Sequence, residues 1–254
     1  MNRDIFFKEI KKSLFFGRLS QTQVDGMSGL IDAFLAVGDG SRKTLAYGLA
    51  TARREVGSPM VPVREGFAKS DTGARRAVAA LAKKRGPRSN VAKYAKPAGP
   101  YGHVYYGRGY VQLTWLDNYE ASSKDAGGDL VRDPDKALDP EFAARLLFLG
   151  IQDGRWNREG KGIAFYLNIT KTDLMNARRT VNVTDHWQEI SEHYEKFLAA
   201  IDAAGGVPKV VSKSPPAPAV APARLPDPPA KPAPNGFAAW LSAFFKSLFG
   251  KKGT

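Results

Sequence analysis

Apolar positions recur at helical spacing over much of residues 1–207. Ser20 and Gln23 form a capping-box pair, and Val24, Met27, Leu30, Ile31, Phe34 and Leu35 follow on one face, predicting a helix from residue 20 to about residue 35. A second helix is predicted from Arg42 to about Val56, where Gly57-Ser58-Pro59 stops it. A third runs from about Pro140 through Phe142, Leu146 and Leu149. A long last one starts at Thr184 or Asp185 and carries Trp187, Ile190, Tyr194, Phe197, Leu198 and Ile201. Glycine-rich and polar loops lie between, with no repeated strand alternation and no internal repeat. The expected fold class is mainly α.

The pattern breaks at Val207-Pro208. Residues 208–234 hold ten of the seventeen prolines and no aromatic residue, the composition of an extended spacer. Beyond it Phe237, Trp240, Leu241, Phe244, Phe245, Leu248 and Phe249 fall on a single helical stripe, with Ser242, Lys246 and Ser247 opposite and Lys251 and Lys252 at the end. The expected organisation is a globular domain over 1–207, a linker over 208–236 and an amphipathic basic helix over 237–254. About fourteen residues at 1.5 Å each give about 21 Å, too short to span a bilayer and suited to lying in its interface. Such a helix either contacts an anionic membrane or lipopolysaccharide, or packs back on the domain. A long proline spacer is a poor tether for a packing element, which favours the first.

Composition narrows the chemistry. The chain has 254 residues, 43% of them hydrophobic, enough for a substantial core. It has no cysteine, which excludes disulfides, thiolate metal sites and a cysteine nucleophile. Its three histidines include no pair at adjacent-turn spacing, so zinc chemistry is not expected. The net charge of +13 favours a polyanionic partner. Residues 208–254 carry seven Lys/Arg against one Asp, so +6 belongs to the tail and +7 to the domain. The basic residues form no recognised docking motif, and nucleic acid is not an expected partner. Charged residues at Arg3, Asp4, Lys8 and Glu9 interrupt any signal-peptide core, and no run of eighteen apolar residues occurs.

Two segments carry candidate chemistry. Tyr105 to Tyr119 packs tyrosines, Trp115, Gln112, Thr114 and Asn118 around Gly107-Arg108-Gly109. Flat rings with amide and hydroxyl groups suit a carbohydrate cleft, and the same residues suit an aromatic core strand with a turn. The second segment places Glu55 on the last turn of an apolar helix, where the dipole and burial are expected to raise its pKa as a general acid requires. Glu65 follows ten residues later in a loop able to fold back across a groove. Glycoside hydrolysis needs two such carboxyls, although two glutamates at this spacing are common by chance. His103 is expected to be a loop hydrogen-bonding residue, and His186 and His193 surface or packing residues of the last helix. Lys83-Lys84-Arg85, with Arg88, Lys93 and Lys96, reads as a solvated basic stretch or as a site for glycan phosphates or peptide carboxylates.

Gly107 to Tyr119, GRGYVQLTWLDNY, resembles the GRG-x-x-QLT-x-x-x-NY signature of glycoside hydrolase family 19, the chitinases and chitinase-like endolysins of bacteriophages. Ala52 to Glu65 resembles the family's helix-end His-Glu-Thr segment, and Asn176 to Asn182 its ARR-x-[IV]-N element, so the likeness spans about residues 20 to 205. The resemblance implies a lysozyme-like fold and an inverting mechanism without metal or cofactor. It makes Glu55 the general acid, Glu65 the water-activating base, and Gln112, Thr114, Asn118 and Asn182 sugar- or water-orienting residues. Tyr106, Arg108, Tyr110 and Trp115 are expected to bind substrate and shape the cleft. Arg54 and Val56 stand where the family has His and Thr. Arg54 could depress the pKa of Glu55 or reach an anionic substrate.

The expected function is that of an endolysin cutting the β-1,4 glycan strands of peptidoglycan. It would act as a monomer held in the host bacterial cytoplasm until release to the periplasm and wall, with the terminal helix on anionic membrane. The alternatives are a chitinase acting on chitin oligomers and a catalytically weak wall- or membrane-binding protein.

Overall fold

A computed structural model describes residues 1–125 and 128–208. The proline-rich segment and the terminal apolar stripe, with Phe237, Trp240, Leu241, Phe244, Phe245, Leu248 and Phe249, lie outside the described residues. As expected, the fold is mainly α. In order come α1 (Arg3–Ser13), α2 (Gln21–Val37), α3 (Arg42–Val56), β1 (Val63–Arg64), α4 (Asp71–Arg85), α5 (Asn90–Tyr94), β2 (Arg108–Gly109), α6 (Leu116–Ser123), α7 (Pro140–Asp153), α8 (Leu174–Ala177) and α9 (Trp187–Ala203). The two short strands pair antiparallel, Val63 with Gly109 and Arg64 with Arg108.

The sequence sets the helix ends. Ser20 and Gln23 do form the capping box of α2, each side chain accepting from the other's backbone N–H. Asp139 caps α7 by accepting from Phe142 N–H, Pro140 sits in its first turn, and left-handed Gly154 ends it. The last helix begins at Trp187, later than the pattern predicts, because His186 adopts a left-handed conformation (φ 52°).

In the main core α9 packs along α3 and α1, and α7 packs against α2. Phe6 stacks on Phe197, and Phe34 meets Phe148 edge-on. His193 is a packing residue; burial, with Arg53, Lys196 and Arg54 nearby, lowers its pKa to about 4. A smaller core unites Ala74, Val78 and Leu81 of α4, Val91 and Tyr94 of α5, Val104 and Tyr106. Arg108 joins this lobe to the body. Its guanidinium pairs with Asp71 at 3.3 Å and Asp135 at 2.8 Å, donates to the Tyr119 hydroxyl at 3.0 Å and stacks on Tyr106 at 3.6 Å.

Candidate active site

The C-terminal end of α3 delivers Glu55 to a cavity of about 430 Å³, a size suited to several sugar atoms in van der Waals contact with the wall. One wall is the loop from Val111 through Trp115 and the start of α6, contributing Gln112, Thr114, Trp115, Asp117 and Asn118. The small lobe supplies Asn90, Lys93 and Tyr94. Opposite stand Trp156, Asn157, Arg158 and Glu159, then Arg179 and Val181 to Val183 around Asn182. Glu55, Gln112, Thr114, Trp115, Asn118 and Asn182 are therefore brought together.

The 111–118 wall is held by its own polar groups. Gln112 Nε2 donates to the carbonyls of Val63 and Gly109 at 3.0 and 3.1 Å, tying the loop to both strands. Thr114 Oγ1 donates to Gln112 O at 2.7 Å, and Asn118 Nδ2 donates to Thr114 O at 2.8 Å. Gln112 and Trp115 both hold positive φ, 50° and 77°, conformations that cost of order 1–3 kcal/mol each and persist only where the surroundings over-determine them. Trp115 is fixed by its N–H to Tyr105 O at 2.9 Å and by edge contact with Tyr94 at 5.4 Å.

Tyr106, Arg108 and Tyr110 lie away from this wall. Tyr106 is fully buried beneath Arg108, and the Tyr110 hydroxyl donates to Met60 O at 3.1 Å. Of the two readings of the aromatic segment, its tyrosines take the core one and its Gln-Thr-Trp-Asn half faces the cavity. Tyr106 is drawn inward beneath Arg108, whose guanidinium is fixed over its ring by Asp71 and Asp135, and Tyr110 by the Met60 carbonyl.

Gly107 and Gly109 make the turn possible. A Cβ on Gly107 would lie 2.8 Å from Gln112 Oε1, and one on Gly109 (φ 79°) 2.5 Å from Ala137 O. Gly109→Ala is expected to cost about 1–3 kcal/mol through left-handed strain plus this clash. Chemical denaturation measures it, and an unchanged midpoint would contradict the close approach.

Glu65 is 1% exposed and does not line the cavity; it lies behind the Gly107 turn. The Tyr94 hydroxyl donates to its Oε1 at 2.8 Å and Gly107 N–H to its Oε2 at 2.8 Å. Burial raises its pKa above the ordinary 4.5, while these two donors and Arg108 pull it down less strongly. A raised native pKa means that the folded chain holds this proton more tightly than the unfolded one. Glu65 thus withdraws stability as pH rises above about 4.5 toward its native value. Glu65→Gln should remove that component, making the fall of Tm with pH in this window shallower than in the parent. Parallel Tm profiles would refute it.

Behind Glu55 stands a charge that the sequence reading did not assign. Arg178 Nη2 meets Glu55 Oε1 at 2.7 Å, each side chain 2% exposed, and Arg178 Nε lies 3.6 Å from Asp185 Oδ1. Arg178 is the first arginine of the Ala177-Arg178-Arg179 element, and that element was the available signal. Asp185's pKa is raised chiefly by burial, with Glu55 adding to the rise and Arg178 opposing it. Arg54 does not line the cavity; its Nε lies 3.0 Å from Glu189 Oε2 on α9. His103 is a loop residue, its Nε2 3.0 Å from Arg132 O. Among the described residues no His/Asp/Glu group is arranged to hold a metal ion.

The model of glycoside hydrolase family 19, chitinase class I, matches residues 33–149. An endochitinase of Arabidopsis thaliana is 45% identical over 56 residues, 20% of either chain, so the match spans about a fifth of that curated relative. Among solved structures, chitinase C of Streptomyces griseus superposes with a TM-score of 0.43 at 19% identity, over 80% of this chain and 76% of that one. A chitinase C mutant gives 0.42 at 18% identity, over 81% and 93%.

Proposed function

We propose that this glycoside hydrolase, which carries a family 19 chitinase-like segment over residues 33–149, cuts the β-1,4 glycan strand of peptidoglycan as an endolysin. The observation that carries the reading is the placement of Glu55: a buried carboxyl at the end of α3, opening on a cavity walled by Gln112, Thr114, Trp115, Asn118 and Asn182. In this reading protonated Glu55 gives its proton to the leaving glycosidic oxygen. Between turnovers the ionised carboxyl pairs with Arg178 at 2.7 Å, and a proton taken up from solvent restores the acid before the next bond is cut. The amides of Asn118 and Asn182 suit the N-acetyl and hydroxyl groups of amino sugars, Gln112, with its Nε2 spent on the Val63 and Gly109 carbonyls, offers only its Oε1, and Trp115 offers a ring face.

Glu65, with both oxygens committed to Tyr94 and Gly107, acts in our reading as a positioning residue for the Gly107 turn rather than as the base. The carboxylates that share the wall with Glu55 are Asp117 and Glu159. An inverting reaction places its water between two carboxyls about 6.5–9.5 Å apart. Amide replacement at Asp117 and at Glu159 identifies which one activates it: the base variant loses turnover and recovers it with azide as an external nucleophile.

On the wall itself Lys93, Arg158 and Arg179 are balanced by Glu55, Asp117 and Glu159; peptidoglycan is favoured over chitin by the exposed Lys/Arg run of α4 and α5 that adjoins the cavity at Lys93, since chitin is neutral. Mass spectrometry of the reducing ends released from purified sacculi tests the reading and identifies the bond cut. Turnover of chitin oligomers without turnover of sacculi would replace it by the chitinase reading. The basic apolar stripe at 237–254 is proposed to bind anionic membrane. Deleting 236–254 should spare hydrolysis of sacculi and reduce binding to anionic liposomes by at least about tenfold; equal binding by both forms would sink the membrane role.

A further inference from the structure

Between Thr72 and Leu116 the chain carries nine Lys/Arg and no Asp or Glu. Two of the nine are accounted for. Arg75 pairs with Asp71 at 2.7 Å, and Arg108 is buried in its network. The other seven, Arg76, Lys83, Lys84, Arg85, Arg88, Lys93 and Lys96, are all exposed. Among the described residues none of them makes an ion pair or a side-chain hydrogen bond. They belong to α4, α5 and the short connections beside them, one small lobe with its own core.

Helix electrostatics explain part of this and leave the rest. Lys83, Lys84 and Arg85 occupy the last turn of α4, where cations offset the helix dipole. Arg76 lies two turns back, and Arg88, Lys93 and Lys96 lie beyond the helix. Unpaired like charges repel, so a one-signed surface of this kind is a cost to the free protein that an anionic ligand relieves. The surface is continuous with the cavity through α5, which puts Asn90, Lys93 and Tyr94 on the cavity wall.

We propose that the exposed face of the α4–α5 lobe is a second binding surface, reached from the cavity rim at Lys93, that takes the stem-peptide carboxylates carried by the glycan strand. This deepens, and rests on, the peptidoglycan reading of the cavity. A neutral glycan has no use for such a surface, whereas a strand bearing a carboxylate-rich peptide on alternate sugars presents one repeatedly. Nucleic acid fits less well. The lobe's Tyr94 and Tyr106 are buried, so they offer no stacking face to bases. The face also leads into a cavity whose amides and Trp115 suit sugars.

The test uses the full chain with Glu55→Gln as background, so that the wall polymer is bound without being cut. Lys83, Lys84, Arg85 and Arg88, all outside the cavity wall, are replaced together by Gln. Co-sedimentation measures binding to purified sacculi, to sacculi whose carboxyls have been amidated, and to a short DNA duplex. The expected result is at least about tenfold weaker binding to native sacculi at low ionic strength, closing at high salt. The two proteins should bind amidated sacculi alike, and the Tm should be unchanged. In the parent with Glu55 intact, the same four substitutions should leave hydrolysis of stem-free glycan oligomers unaltered. Equal binding to native sacculi overturns the proposal, as does a deficit that persists on amidated sacculi. A larger loss against DNA than against sacculi overturns it in favour of nucleic acid. The two readings fail separately: no release of reducing ends by the parent removes the peptidoglycan activity, while release with undiminished binding by the variant removes only the second surface.

Discussion

Glu55→Gln is expected to fold normally and to lower the release of reducing ends from purified sacculi by about 10²–10⁴-fold, the usual worth of a positioned proton donor. The amide keeps the shape of the side chain and its place at the end of α3, and it has no proton to give. Its fold should survive because Arg178 is not stranded: Asp185 remains 3.6 Å from Nε, so the buried cation keeps a counter-charge. The loss should fall on kcat with KM little changed, since the residues proposed to hold the sugar are untouched. Full retained activity would remove Glu55 from the mechanism. A lowered Tm accompanying the loss would reassign Glu55 to structure.

The second large effect belongs to Arg178. Arg178→Ala leaves Glu55, 2% exposed, facing Asp185 across a void with no positive charge between them. Removing one member of a buried pair typically costs about 3–5 kcal/mol, because the desolvated partner stays behind uncompensated. Urea unfolding should show the midpoint falling with the slope m unchanged. A loss below about 1 kcal/mol would mean that water reaches Glu55 in the native state and that the pair is worth no more than a surface one. Arg178→Lys separates charge from geometry. A point charge on a flexible stem should restore much of the stability, yet it cannot reproduce the fixed planar contact, so kcat should stay depressed with KM little changed.

The helices that the sequence announces are those with a broad apolar stripe and a capping residue, α2 with Ser20 and Gln23, α3 stopped at Gly57 and α7 between Asp139 and Gly154, together with α9, which has the stripe alone. α4 escapes such a reading because its buried face is Ala74, Val78 and Leu81, too small and too few to stand out among alanines and cations. α1 buries only Phe6 and Ile10 along its length. In the site, the residues that face the cavity from 112 to 118 are legible because their chemistry and the turn around Gly107 and Gly109 occur in one short run. The direction of Tyr106 and Tyr110 is not legible. It depends on Asp71, Asp135 and the Met60 carbonyl, groups distant in the chain that decide whether a tyrosine beside an arginine faces inward or outward. The same holds for Glu65. A glutamate in a loop reads as free to act, and only the three-dimensional meeting with Tyr94 and the Gly107 N–H shows that both its oxygens are occupied.

The Arg178 to Glu55 contact also sets an order of assembly. Glu55 lies inside the span matched by the family, residues 33–149, and its counter-charge lies outside it. A ribosome releases Glu55, the Gly107 turn and the cavity's 111–118 wall well before Arg178, Asn182 and the helix that packs along α3. A domain folds as a unit, so the Glu55 carboxyl stays solvated and the cavity unformed until the last helix is free to dock along α3. Hydrolytic competence arrives only with the completed domain, and a fragment trimmed to residues 33–149 should be unable to hold Glu55 in place.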